Sequence, residues 1–451
     1  MNINIKKFIL IIGDIFVLYS SLYLTLLIRY WQWPSYTAWE NHFWPFSITF
    51  IAWVIIFYIA DLYNLHLAIN NSKFINLTIR SISIAGLLSA VFFYINPNID
   101  IAPKTNLLIY LIVFAILFVW WRRTFNWLLY SHLPKDNVAI IGYNEQVKEL
   151  SKALRENPHL GYKVALIVSK NKIISDGLPV VTDLYNIKDQ IVKRNITTIV
   201  LASDPHESLE LRTTLFSCLP LKINFLNLPN FYELVTGKIP IEAISHMWFL
   251  ENLNEGNKAM FDLFKRTYDI IFALFILIIT ALAWPLIGII IKIESRGPIF
   301  FKQKRVGKNN KEFTIIKFRT MTTDKNDYSP TKRKDLRVTK FGALIRKTRI
   351  DEIPQVLNIL LGNMSFVGPR PERPELIKQL EVEVPFYRER TLVKPGLTGW
   401  DQISGEYHSP TKEDTLKKLQ YDLFYIKNRS IYLDLSIILK TIATVLGGGG
   451  V

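Results

Sequence analysis

The sequence predicts a membrane protein of the α/β class in three parts: a transmembrane bundle of four helices over 1–130, a Rossmann-like module over 131–255, and an α+β domain over 256–451 with a re-entrant membrane helix. Three observations carry that expectation. Long apolar runs crowd the first part, short apolar runs alternate with polar stretches in the second, and one isolated apolar run opens a strongly basic third. With 451 residues there is length for several cores, and 50% hydrophobic against 20% charged residues argues for membrane contact and against disorder. The net charge of +16 is uneven: residues 256–451 hold 33 Lys/Arg against 20 Asp/Glu, and residues 1–255 hold 21 against 18. An anionic partner is therefore expected at the C-terminal part, with no nucleic acid called for. A single cysteine, Cys218, excludes an intramolecular disulfide and paired-thiol redox chemistry, and its simplest role is as a small buried residue.

Phe8 to Ile28 is apolar except for Asp14, long enough to cross a ~30 Å hydrocarbon layer as a helix and too long for a signal-peptide core. Further runs lie at Phe43–Ala60, Ser81–Ile95 and Leu107–Trp121. Four spans would place Lys6, Lys7, Lys73, Arg80, Arg122 and Arg123 on one side and only Arg29 and Lys104 on the other, which assigns the first group to the cytoplasm. The chain after Arg123 then starts in the cytoplasm.

In the middle part, Val138–Ile141, Val164–Val168, Thr198–Leu201 and Lys222–Leu226 read as parallel strands separated by helix-capable segments. A dinucleotide site needs a glycine-rich turn after the first strand. Here the turn is Gly142-Tyr143-Asn144-Glu145-Gln146-Val147, with one glycine and a glutamate where phosphate would approach, and the second strand ends in Ser169-Lys170 instead of an acidic residue. The module is expected to be structural or regulatory, which disfavours a nicotinamide-dependent dehydratase or epimerase.

Tyr268–Ile293 holds two charges, Asp269 at its start and Lys292 at its end, and Pro285 in its second half, with Lys265 and Arg266 before it and Arg296 after. Basic flanks at both ends suit a helix that enters the membrane, bends at the proline and returns to the same face; a full span would send the basic remainder outside. The alternation after it, Phe300 to Val306 and Phe313 to Met321 around Gly-Lys-Asn-Asn-Lys, predicts a hairpin that displays Lys and Arg. A basic surface toward anionic lipid is the simpler reading of Lys302–Lys311, whereas Lys317 and Arg319 flank a Phe and could converge on phosphate.

Arg346 to Leu360 places Asp351 and Glu352 where a helix begins, with Pro354 in its first turn and Ile353, Val356, Leu357 and Leu360 on one face. The basic cluster just ahead would hold Asp351 ionised, and an ionised carboxylate near phosphate serves as nucleophile or Mg²⁺ ligand; the alternative is an ordinary capping pair. Two rigid loops accompany it, Gly368-Pro369-Arg370-Pro371 and Lys394-Pro395-Gly396-Leu397-Thr398-Gly399-Trp400. Prolines on either side of Arg370 aim its guanidinium. His408 is the only histidine after His246, so a histidine metal cluster or a Ser-His triad has no material, and no Asp-any-Asp metal motif for a processive glycosyltransferase exists.

Those motifs, together with Lys265-Arg266-Thr267-Tyr268-Asp269, Gly297-Pro298-Ile299-Phe300-Phe301-Lys302-Gln303, Lys317-Phe318-Arg319-Thr320-Met321, Asp351-Glu352-Ile353-Pro354-Gln355 and Tyr421-Asp422, resemble the bacterial sugar transferases, the monotopic polyprenyl-phosphate sugar-1-phosphate transferases. The likeness covers about Lys265 to Gly447, and the four helices plus Rossmann-like module resemble the family's large members. It implies that Asp351 attacks the sugar-linked phosphate of a UDP-sugar and releases UMP. It further implies that polyprenyl (undecaprenyl) phosphate takes up the sugar phosphate, the initiating step of exopolysaccharide, capsule or O-antigen synthesis. By the same pattern Glu352, with Asp351, holds Mg²⁺, Arg346 and Arg370 contact phosphate or nucleotide, and Lys317, Arg319 and Asp422 belong to the site. One departure is Asp401, where the family commonly has a small apolar residue. The oligomeric state stays open, a homodimer among the options, and Gly447–Gly450 reads as a tail. The alternative of another class is a membrane anchor or regulator with an inactive transferase domain, against which the Asp351-Glu352 pair and Arg370 speak.

Overall fold

The computed structural model describes residues 3–65, 70–96, 103–131, 135–169, 179–182, 187–203, 208–253, 258–322, 335, 337–404 and 411–446. Its contacts divide the chain into two compact units, Met1–Phe231 and Tyr232–Val451. Lys170, His408 and Gly447–Gly450 lie outside the described residues.

In the first unit the four apolar runs are helices α1 (Ile3–Tyr30), α2 (Tyr36–Ile59), α3 (Ser72–Ile95) and α4 (Pro103–Ser131), each long and apolar enough to cross a membrane. Ser35 and Asn71 start α2 and α3 by accepting from the backbone N–H of Ala38 and Phe74. The bundle interior is aromatic: Trp53 meets Phe57 and Phe114 edge-on, and its Nε1 donates to Ser89 Oγ at 2.8 Å. Asp14, which interrupts the first run, is fully buried. Arg122 Nη2 donates to it at 2.5 Å and Trp121 Nε1 at 3.1 Å, while Arg122 Nη1 donates to Leu62 O at 2.6 Å. Arg122 is therefore a buried partner of Asp14 and not the exposed flanking charge that its position in the sequence suggests.

The same unit carries a five-stranded parallel sheet of order β3-β2-β1-β4-β5, built from β1 (Asp136–Ile141), β2 (Tyr162–Val168), β3 (Val180–Val181), β4 (Ile196–Leu201) and β5 (Asn224–Asn227). The two-residue β3 is too short to leave a pattern in the sequence. Helices α5 (Glu145–Glu156), α6 (Ile187–Lys193) and α7 (Leu209–Cys218) connect the strands, and Cys218 is buried among Leu211, Leu215 and Ile199. Gly142 has φ +98°, and a Cβ there would lie 2.2 Å from Ser203 Oγ. Its turn thus serves the close approach of two strand ends.

The unit boundary falls inside α8 (Leu228–Thr236). In the second unit, Ile239, Ile241 and, in α9 (His246–Asn252), Trp248 and Phe249 are buried in one core with Val356, Ile359, Met364 and Leu419. Residues 239–253, assigned to the middle module from sequence, thus pack with the C-terminal core; apolarity marks burial without naming the partner. α10 (Ala259–Ala281) and α11 (Ala283–Glu294) are bent by 61°. The break is at Leu282, and Pro285 sits in the first turn of α11, where a missing N–H costs no helix bond. β6 (Phe300–Val306) and β7 (Glu312–Phe318) form the expected antiparallel hairpin. Then follow α12 (Lys340–Lys347), a 3₁₀ turn (Ile350–Gln355), α13 (Val356–Leu360), β8 (Ser365–Val367), α14 (Pro374–Glu383), β9 (Gly396–Thr398), α15 (Trp400–Ile403), α16 (Lys412–Asn428) and α17 (Ile431–Leu446). Two buried carboxylates tie α10 to this core. Asp434 accepts from Lys265 at 2.5 Å, from Tyr425 at 2.8 Å and from Tyr268, and Asp269 accepts from Ser365 Oγ and Phe366 N, both at 3.1 Å.

Candidate functional site

Arg349 adopts a left-handed φ of 57°, which turns the chain sharply out of α12 and into the 3₁₀ turn that carries Asp351 and Glu352. The segment is pinned against β7 by Asn358, whose side chain accepts from Ile316 N at 3.2 Å and donates to Thr314 O at 2.7 Å, as a neighbouring strand would. Between those two strand residues and the strand end lies Lys317, so the pinning brings Lys317 Nζ to 2.5 Å from Glu352 Oε1. Arg370 Nη2 reaches the same oxygen at 3.0 Å, and Arg349 Nη1 stands 3.9 Å from Oε2.

The two adjacent carboxylates are unlike. Burial alone would raise Glu352, but Arg370 and Lys317 outweigh it and hold the carboxyl far below its usual range. The carboxylate of Asp351, a residue 8% exposed, makes no hydrogen bond or ion pair among the described residues. Burial and the charge of Glu352 push it up to about 6, against Lys317, Arg346 and Arg349. Burial likewise lowers the ammonium of Lys317. The result is one clamped carboxylate and one uncommitted carboxylate inside a frame of cations, an arrangement suited to holding an anion and attacking it.

The structure brings Lys317, Asp351, Glu352 and Arg370 together. Arg346 borders them: its Nε donates to Thr320 Oγ1 at 2.7 Å and its charge acts on Asp351. Arg319 is turned away, its guanidinium donating to Ser295 O at 2.7 Å, Ser295 Oγ at 3.0 Å and Arg296 O at 3.1 Å, so it fastens the end of α11 to the hairpin. Alternation along β7 accounts for this, since residues two apart share a face only while the strand continues, and β7 stops at Phe318. Asp422 is buried against Arg390 at 2.7 Å, and Arg390 Nη2 donates to Arg370 O at 3.1 Å. Asp422 therefore acts on the site through Arg390 and the Arg370 loop. Arg349, Asn358 and Arg390 were not singled out from the sequence. Arg349 stood inside the basic cluster already noted; for Arg390 and Asp422, 32 residues apart, no local pattern exists. An open cleft lined by Gly307, Arg370, Glu372, Tyr387 and Arg390 borders the loop.

Residues 260–448 match the model of the bacterial sugar transferase family, and residues 58–228 match that of a CoA-binding domain. A UDP-glucose:undecaprenyl-phosphate glucose-1-phosphate transferase of Xanthomonas campestris pv. campestris is 30% identical over 345 residues, 72% of this chain and 70% of that protein. The chain belongs to the bacterial sugar transferase family. A second family member, the protein of the same name from Klebsiella pneumoniae, is 27% identical over 98% of this chain and 95% of its own length. A UDP-N-acetylgalactosamine-undecaprenyl-phosphate N-acetylgalactosaminephosphotransferase of Aeromonas hydrophila is 38% identical over 235 residues, 52% of this chain, and the aligned part spans 55% of that relative. The family match takes in every residue of the cluster just described.

Proposed function

We propose that this chain transfers a sugar 1-phosphate from a UDP-sugar to polyprenyl phosphate, releasing UMP, through a covalent aspartyl intermediate. The observation that carries the reading is the uncommitted Asp351 beside the clamped Glu352. An Asp351 oxygen attacks the sugar-linked phosphorus, the bond from that phosphorus to the bridging oxygen breaks, and UMP leaves with the electron pair. An oxygen of the lipid phosphate then attacks the same phosphorus and the carboxylate departs. Lys317 and Arg370 offset the charge that gathers as one anion attacks another.

Mg²⁺ is the expected cofactor. Among the described residues no three His, Cys, Asp or Glu side chains gather. The hard oxygen pair of Asp351 and Glu352 nevertheless suits this ion, which uses one or two carboxylates and completes its shell with substrate phosphates and water. When bound it would supply further neutralisation of the diphosphate.

The membrane geometry fits the same reading. The exposed apolar surface of α10 and the 61° bend before α11 suit a re-entrant hairpin, which sets the site where a lipid phosphate presents itself. The four spans then leave the catalytic domain on the cytoplasmic face of the inner membrane, with the α/β module as a non-catalytic part. The relatives named above act on UDP-glucose and on a UDP-N-acetyl sugar, and the pathway served is exopolysaccharide, capsule or O-antigen assembly. The test is UMP release by the purified full chain from UDP-glucose, UDP-galactose, UDP-N-acetylglucosamine and UDP-N-acetylgalactosamine, with Mg²⁺ and polyprenyl phosphate, beside Asp351→Asn. Release from one donor that disappears in the variant supports the reading; no release from any donor by folded protein overturns it.

A further inference from the structure

Two buried ion pairs outside the Asp351 centre converge on the loop that carries Arg370. That loop, Gly368-Pro369-Arg370-Pro371-Glu372, cannot be fastened through N–H groups at its two prolines, which have none. Its carbonyls are held instead. Pro369 O accepts from Gly396 N at 3.0 Å, Arg370 O from Arg390 Nη2 at 3.1 Å, Pro371 O from Arg305 Nη1 at 3.0 Å and Glu372 O from Val306 N at 3.0 Å. Four consecutive carbonyls are thus tied to three elements outside the loop: β9, the 3₁₀ turn Tyr387–Leu392, and β6. For the middle two the donor is a guanidinium.

Each guanidinium has its own counter-charge. Arg390, 6% exposed, donates through Nε to Asp422 Oδ2 and through Nη1 to Tyr387 Oη, both at 2.7 Å. Arg305 donates through Nη2 to Gln303 Oε1 at 2.7 Å, and its Nη1 stands 3.5 Å from Glu372 Oε2. The other Glu372 oxygen accepts from Lys418 Nζ at 2.5 Å. Burial alone would raise Glu372, but Lys418, Arg390 and Arg305 hold it down to about 2, so it is ionised at neutral pH. Buried ion pairs return little net stability, because desolvation offsets most of the attraction, and a carbonyl by itself needs only a neutral donor. What a guanidinium adds is a rigid planar fork. With one nitrogen anchored on a side chain and another on the loop, it fixes the direction of the carbonyl as well as its distance. The peptide units before and after Arg370 are both held in this way, so its side chain leaves the loop in one direction, and Nη2 meets Glu352 Oε1 at 3.0 Å.

We propose that Arg305 and Arg390 are positioning residues for the transfer reaction, holding the carbonyls of Pro371 and Arg370 so that the Arg370 guanidinium is aimed at the transferred phosphate. The proposal rests on the reading of the Asp351 centre given above. Neither residue touches substrate; both act through Arg370.

The test is a set of double-mutant cycles on the detergent-purified full chain. Arg305→Lys and Arg390→Lys keep the charge opposite Glu372 and Asp422 but lose the fork, and Tyr387→Phe removes one anchor of Arg390 while leaving every charge in place. In UMP release, each lysine variant is expected to lower kcat by about tenfold or more with the donor KM within about threefold, and Tyr387→Phe to lower kcat less. Combined with Arg370→Gln, the same substitutions should change kcat by under about twofold, since the residue they aim is gone. Equal factors in both backgrounds, or a KM effect without a kcat effect, would overturn the proposal and leave the two pairs as supports of the fold. A second cycle needs no turnover. The coupling between Arg370→Gln and Glu352→Gln, read from melting temperatures in detergent, should shrink to about half or less when Arg390→Lys is present. An unchanged coupling would overturn the aiming role. If the parent released no UMP from any donor, the transfer reading would fall, and the aiming of Arg370 at Glu352 would stand or fall on the melting cycle.

Discussion

Two buried carboxylate–arginine groups in this chain, Asp14–Arg122 in the bundle and Glu352–Arg370 in the candidate site, have similar components and opposite characters. In the bundle one carboxylate meets one arginine, its oxygens also accept from Trp121, and Arg122 has a second acceptor in Leu62 O. That group is closed and joins α1 to α4. In the site two carboxylates share a cage of cations, one is clamped by Lys317 and Arg370, and the other has no bond to give up. A closed ion pair serves geometry; an open one keeps a charged oxygen available for chemistry.

The largest expected effect separates the two groups by activity. Asp351→Asn should reduce UMP release by at least about 10³-fold, because the other carboxylates of the described cluster, Glu352 and Asp422, are bound to cations. The same variant should melt higher than the parent. A carboxyl raised to about 6 is worth up to about 3 kcal/mol of lost stability when ionised at pH 7, and the amide removes that cost. A melting curve at pH 7.5 beside the UMP assay checks both, and a lower melting temperature would count against the strained carboxylate.

Next, Glu352→Gln should leave Lys317 and Arg370 without their shared partner, costing about 3 kcal/mol in stability and about 10²-fold or more in rate. Arg122→Ala should cost a similar 3–5 kcal/mol, on the order of breaking one half of a buried pair, whereas Asp14→Leu/Arg122→Met should recover most of it. Denaturation in detergent distinguishes these, since a functional role for the bundle pair would leave the double variant inactive though stable.

The pH dependence sharpens the contrast within the site. UMP release should fall about tenfold per unit below about pH 6 as Asp351 takes up a proton, while Glu352, held low, stays ionised over the assay range. The stability signs are opposite. Asp351 is raised, so its contribution worsens as pH climbs from about 4 to about 6; Glu352 is depressed, so its contribution is lost as pH falls below its ordinary value near 4.5. A rate that stays flat down to pH 4.5 would separate Asp351 from the nucleophile role. The smallest effect is expected for Asn358→Ala, which removes two bonds to β7 and should cost about 1–3 kcal/mol and lower kcat more than it raises KM, as a positioning residue would.

Much of this was legible along the chain because its signals are local. Long apolar runs, the alternation around Lys308–Lys311, and a proline placed just behind Asp351-Glu352 each report a backbone preference that neighbouring residues set. The ordered motifs likewise pointed to the family before any geometry was known. What the sequence could not supply were the pairings: Asp14 with Arg122, Asp422 with Arg390, Arg319 with the end of α11 instead of with phosphate, and residues 239–253 with the C-terminal core. Each joins segments far apart in sequence, where composition says that a group is buried or charged but not what it meets. The sequence alone determined which residue types stand ready for chemistry. Only the tertiary structure decided that Glu352 would be clamped and Asp351 left open, because desolvation and Coulomb attraction depend on distances that no spacing along the chain specifies.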